Sequence, residues 1–223
     1  MSKETSVETG EVGVQVEQIQ LGANLAIPEG AAAIVVFAHG SGSSRFSPRN
    51  RAVAHTLNEG ALATLLLDLL SMDEQKIDEQ TRHLRFDIPL LAERLVGAID
   101  WVREQPETRD LKIGLFGAST GAAAALVAAT HRPEAVGAVV SRGGRPDLAG
   151  ACLPDVRAPV LLIVGGNDAP VIEMNQQAAR QLKAENRLTI VPGATHLFEE
   201  PGKLEEVAAL AREWFEEHIG AAG

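Results

Sequence analysis

The stretch Gly117-Ala118-Ser119-Thr120-Gly121 constrains this chain more than any other. It follows Leu111-Lys112-Ile113-Gly114-Leu115-Phe116, an apolar run that reads as a short buried strand. It precedes residues 122–130, an alanine-rich run that reads as a helix. A serine between two glycines at a strand-to-helix turn is the setting of a nucleophile elbow. Such a turn forces the serine into an unfavourable backbone conformation and crowds its neighbours, so side chains at Gly117 and Gly121 are expected to collide. It raises the Ser119 hydroxyl above the sheet and sets the Thr120 N–H at a helix N-terminus, where a negatively charged oxygen can bind. The elbow then needs an acid and a base, in the chain order Ser, Asp or Glu, His.

The rest of the chain alternates strand and helix patterns. Residues 31–38, 61–70, 135–140, 159–164 and 188–191 are apolar runs of the kind a buried parallel sheet requires. Helical patterns fall at 51–58, 86–104 and 203–219, and 71–85 reads as a polar loop. Residues 12–19 alternate apolar and polar, which predicts a half-exposed antiparallel edge strand. A turn at 22–24 is expected to lead into a second strand at 25–28. The fold class is α/β: a mainly parallel sheet with helices on both faces and antiparallel N-terminal edge strands, in one domain spanning residues 1–223. Residues 142–158 leave too little chain for a lid domain after the strand that follows the nucleophile helix. An open, shallow site is expected, suited to short acyl groups or to the chain end of a polyester.

Asp168 lies just past one strand and His196 just past the next, at the same sheet edge as Ser119. Neutral His196 can take the serine proton, and an ionised Asp168 can fix its tautomer. Asp147 and Asp155 are backup acids. The glycine-rich loop His39-Gly40-Ser41-Gly42-Ser43-Ser44 supplies the second oxyanion donor, assigned to the Ser41 N–H beside that of Thr120. Neither a dinucleotide fingerprint nor a P-loop is present, and no His-x-x-x-His or Cys-x-x-Cys spacing suggests a metal, so no cofactor or metal is expected. Arg142 and Arg145 could bind a substrate carboxylate or phosphate, or pair internally with Asp147 or Asp155.

The formal charge, 20 basic against 30 acidic residues and so −10, argues against nucleic acid or an anionic membrane as partner. The one cysteine, Cys152, cannot form an internal disulfide, which fits a reducing compartment. No leader-like N-terminus and no apolar run near the ~20 residues of a membrane span are visible, so a cytoplasmic protein is expected.

The loop 38–44, the elbow 117–121, Gly165-Gly166-Asn167-Asp168 and Ala194-Thr195-His196 together resemble the α/β-hydrolase fold over essentially the whole chain. Within it the chain is similar to the small dienelactone-hydrolase-like group. The stretch Ser141-Arg142-Gly143-Gly144-Arg145-Pro146-Asp147 resembles a subgroup whose relatives are sometimes fused to phosphoribosyltransferase domains. Dienelactone hydrolases proper carry Cys at the elbow. Ser119 in that place favours a general serine esterase acting through an acyl-enzyme on a small or oligomeric ester. A thioesterase, an acyltransferase using the same residues, and a catalytically idle scaffold are the alternatives. The sequence leaves the oligomeric state open.

Overall fold

The computed structural model describes residues 7–220. Among these, β1 (Val7–Val16), β2 (Ile19–Pro28), β3 (Ala33–Ala38), β4 (Ala63–Leu67), β5 (Lys112–Ala118), β6 (Val136–Arg142), β7 (Val160–Gly165) and β8 (Asn186–Val191) form one sheet. Their order is β1-β2-β4-β3-β5-β6-β7-β8. β1 and β2 pair antiparallel, as do β2 and β4, and every other pair is parallel. The helices are α1 (Pro48–Glu59), α2 (Met72–Thr81), α3 (Ile88–Glu104), α4 (Thr120–His131), α5 (Ala169–Gln181) and α6 (Lys203–Ile219). This is the α/β-hydrolase architecture. Among the described residues no lid domain separates β6 from β7; a short 3-10 segment, Pro146–Asp155, fills the connection.

The strands at the centre are apolar because both faces are covered. β3, β4 and β7 are buried along their whole length. One core lies between the sheet and α3 and α4, the other between the sheet and α1 and α6. α4 is buried on nearly every side, which its run of alanines permits by letting the helix approach the strands closely. No helix among the described residues is long and apolar enough to cross a membrane.

Four local features differ from the sequence reading. The β1–β2 turn falls at Glu17-Gln18, with Val16 opposite Ile19, rather than at 22–24. Leu21 and Ala23 alternate inward, both fully buried, and this period of two carries β2 straight through the expected turn. Residues 72–81 are the helix α2 rather than a loop. Glu74 N–H donates to Ser71 Oγ at 3.3 Å and Ser71 N–H to Glu74 Oε2 at 2.8 Å, a capping box legible in Ser-x-x-Glu. α1 begins at Pro48 and not at 51, because Ser47 caps it and Pro48 suits the first helical position. α5 was not anticipated. It is a polar helix that buries only Val171, Asn175 and Ala178.

All the parallel strands end at one edge. The loop after β3, the elbow after β5, Arg142 closing β6, Asp168 after β7 and His196 after β8 meet there.

Candidate active site

Ser119 joins β5 directly to α4 at φ +51° and ψ −119°. A non-glycine residue there stores roughly 1–3 kcal/mol of strain. Backbone bonds hold it: Ser119 N–H donates to Arg142 O at 3.2 Å, and Arg145 N–H donates to Ser119 O at 3.0 Å. The two glycines serve different contacts. A Cβ on Gly117 would lie 2.4 Å from Ala122 Cα. A Cβ on Gly121 would lie 2.3 Å from Ala38 O and 2.5 Å from His39 O. The Gly117 Cβ would also lie 2.7 Å from Gly121 O, so the two glycines do approach each other as expected, while the nearest obstacle at Gly121 is the end of β3.

The structure brings Asp168 and His196 together. His196 Nδ1 lies 2.6 Å from Asp168 Oδ2, which leaves Nε2 free on the far side of the ring. The Asp168 side chain is 14% exposed and that of His196 is 39% exposed. The loops carrying them are bonded to each other: Asn167 N–H to Ala194 O at 2.9 Å, and Asn167 Nδ2 to Gly193 O at 3.0 Å. Gly143, at φ +51°, packs beneath the imidazole; a Cβ there would sit 3.1 Å from His196 O and 3.5 Å from two ring atoms. Sequence reasoning missed this support, whose signal was the Gly143-Gly144 pair just past a buried strand.

Ser119 and His196 line one cavity of about 250 Å³. No hydrogen bond joins their side chains, a geometry that commonly tightens only when substrate binds. Arg49, Asn50 and Arg142 line the same space. The sequence alone gives Arg49, with Arg45 and Arg51, the same two readings as Arg142, an anion ligand or a local ion pair; starting α1 at 51 hides that Arg49 and Asn50 share its first turn.

The loop after β3 runs against the elbow, and a Cβ on Gly40 would lie 3.2 Å from Ser119 Cβ. His39 fixes this loop. Its Nδ1 donates to Gly40 O at 2.9 Å, and its Nε2 accepts the Leu69 N–H at 3.1 Å. Only a neutral ring can do both. Burial holds its pKa below the ordinary imidazole value, against the opposing pull of the Gly40 carbonyl and the Asp68 charge. Ser41, two residues on, borders both this cavity and a second one of about 140 Å³ that also touches Thr120, Leu69, Leu70 and Leu91. Asp78 and Arg85 brace the second cavity with a 2.6 Å contact. Burial pushes the Asp78 carboxyl up, but hydrogen bonds and charge from Arg85 outweigh it and hold the group below the usual carboxylate range.

The two arginines of interest part company. Arg145 closes a two-pronged pair on Asp147 at 2.8 and 2.7 Å and does not line the nucleophile cavity. Of the two backup acids, Asp147 is thus committed to Arg145. Arg142 is only 7% exposed, and its Nε and Nη1 are shielded without a hydrogen-bond partner. Burial, aided by the nearby charge of Arg49, lowers its pKa to about 10.

Comparison with known proteins identifies the family and the fold. The profile of the dienelactone hydrolase family matches residues 21–219. The crystal structure of a dienelactone hydrolase from Anabaena variabilis is 62% identical, superposes with a TM-score of 0.94, and covers 96% of this chain and 99% of its own. Est1E from Butyrivibrio proteoclasticus, at 19% identity and a TM-score of 0.78 over 93% of this chain and 98% of its own, shares the fold. Curated relatives from two strains of Mycobacterium tuberculosis are 54% identical over 213 residues and carry the provisional name phosphoribosyl transferase. The chain spans about half the length of these relatives, 96% of itself against 47% of each.

Proposed function

Because the chain belongs to the dienelactone hydrolase family, and is a hydrolase by that membership, we propose that it is a serine esterase that cleaves short-chain carboxylic esters. One observation carries the reading. A strained Ser119 faces the same cavity as a His196 whose Nδ1 is held by Asp168 at 2.6 Å.

In this reading His196 Nε2 removes the Ser119 proton as Oγ attacks the ester carbonyl. Asp168 keeps Nδ1 protonated and stabilises the imidazolium that forms. The Thr120 N–H, at the start of α4, and the Ser41 N–H, on the loop that His39 fixes, are the two donors assigned to the oxygen that becomes negative. His196 returns the proton to the departing alcohol. A water, activated by the same imidazole, then releases the acid and restores Ser119. The small second cavity beside Ser41 and Thr120 suits a short acyl chain, and its leucines supply the apolar wall. The reading is confined to the part of the M. tuberculosis relatives that this chain matches.

The test is hydrolysis of p-nitrophenyl esters from acetate to decanoate, with fluorophosphonate labelling alongside. Labelling and turnover that vanish in Ser119→Ala, with the highest kcat/KM at short chains, support the reading. Asp168→Asn should label far more slowly than wild type and lose roughly 10³–10⁴ in kcat, the cost of a misdirected histidine tautomer. Native protein no faster than Ser119→Ala and inert to the probe overturns it.

A further inference from the structure

One wall of the nucleophile cavity has no part in the acyl transfer just described. Arg142, at the end of β6, is 7% exposed and has two shielded nitrogens with no partner. Arginines so buried are ordinarily matched by a carboxylate, because an uncompensated buried charge is costly. The cavity lining contains no Asp or Glu. A second guanidinium, Arg49, comes from the first turn of α1 and stands near enough for its charge to oppose that of Arg142. Arg49 Nη1 meets Glu199 at 3.3 Å on the exposed side, while its Nε is shielded and unpartnered. That same turn, beginning at its cap Ser47, aims the positive end of a 12-residue helix at the cavity. Beside it Asn50, 2% exposed, has a shielded Oδ1 without a partner.

Resting on the serine-esterase reading, we infer that this wall is a subsite for a phosphate monoester group carried by the ester substrate. Two guanidinium groups and a helix N-terminus converge on a cavity lined by no carboxylate, and Glu199 meets only the exposed Nη1 of Arg49. A phosphate near its dianionic state has the charge and the acceptor oxygens to bridge Arg142 and Arg49, which repel each other while the subsite is empty. A carboxylate, with one negative charge against two positive ones, leaves the pair undercompensated. The group is bound and not attacked: the acyl C–O bond breaks at Ser119, the alcohol leaves with the proton from His196, and the phosphate stays intact on its fragment.

Two measurements separate this inference from the reading beneath it. The first needs no turnover. Ser119→Ala protein, in a buffer free of phosphate and sulfate and at fixed ionic strength, is titrated with inorganic phosphate and separately with acetate while its melting temperature is followed. A saturable rise with phosphate that acetate does not produce, and that is lost in Ser119→Ala/Arg142→Met, is expected. Should that double variant not fold, Ser119→Ala/Arg49→Met must show the rise at least halved. The second compares kcat/KM for glycerol monoacetate and 1-acetylglycerol 3-phosphate, following acetate release. Wild type should favour the phosphorylated ester roughly tenfold or more, and Arg142→Met should collapse that ratio to below about twofold. Equal response to phosphate and acetate, no response to either, or no preference between two esters that are both cleaved in a Ser119-dependent way, overturns the subsite and leaves the esterase standing. If neither ester is cleaved and Ser119 is not labelled, the esterase reading falls, and the phosphate titration alone decides the subsite.

Discussion

Replacing Arg142 with Met should make the protein more stable. In the unfolded chain the guanidinium is fully hydrated and keeps its ordinary pKa, more than two units above the folded one. In the folded protein burial and Arg49 lower it to about 10. At pH 7 both states carry the proton, so the folded state bears the full cost of desolvating it. More than two pH units at about 1.4 kcal/mol each give about 3 kcal/mol. The guanidinium's shielded nitrogens make no hydrogen bond in the folded state that the substitution would forfeit. Met fills the space of the stem with imperfect packing, which costs up to about 1.5 kcal/mol. The net gain is then roughly 2 kcal/mol, or a rise of roughly 4–8 °C in Tm for a chain of this size. The assay is urea and thermal unfolding at pH 7 in a chloride buffer, without phosphate or sulfate. The pH dependence supplies a second check. A base with a lowered folded pKa bears its penalty in full below that pKa and sheds it as pH rises from about 10 towards the unfolded value. The stability difference between the variant and wild type should therefore hold steady from pH 7 to 9 and narrow above 10. A variant that melts below wild type at pH 7, or a difference that widens above pH 10, would refute the account of Arg142 as an uncompensated buried charge.

Ser119→Gly should unfold at higher urea than wild type by roughly 1 kcal/mol, because glycine accepts φ +51° freely, whereas Ser119→Ala keeps the strain and should show no comparable gain. Gly121→Ala should cost several kcal/mol or abolish soluble expression, since its Cβ would meet backbone oxygens at 2.3 and 2.5 Å. Gly10→Ala, with nothing within 4 Å, is the matched control and should shift stability by less than about 0.5 kcal/mol. His39 is held neutral with its pKa lowered, so the unfolded chain takes up the proton first as pH falls. Its contribution should be absent above about pH 7 and should destabilise increasingly below about 6.5, the ordinary imidazole value. His39→Gln should flatten that part of the acid stability curve as read by denaturant titration.

Much of the frame was legible in sequence because its signals are local. The apolar runs that became β3, β5 and β7 could only be strands covered on both faces. Gly-x-Ser-x-Gly between a strand and a helix located the elbow to the residue. Asp168 and His196 followed from their place just past strands. What failed had tertiary causes or weaker local cues. The hairpin turn was misplaced because Gly22 looks like a turn residue, yet it sits between two inward side chains that hold the strand straight. The helix over 72–81 is too polar to announce itself by periodicity, although its Ser71–Glu74 box was readable. The separate fates of Arg142 and Arg145, three residues apart, could not be read in advance. They depend on which arginine lies within reach of Asp147, and that is decided by the course of the chain after β6.

β8 is bonded to the sheet on one side only, by β7, and its residues are mostly half-buried or exposed. The imidazole proposed as the base hangs from the far end of this strand, while the serine is anchored in the middle of the sheet. An edge strand opens at lower free energy than the centre to which it is attached. The order of failure on heating follows from that asymmetry. The base should leave its post while the nucleophile is still in place, so activity fades over a temperature range in which the central strands still protect their amides from exchange. A more robust version of this protein would come from sewing down its last strand, and a bigger core would do little for it.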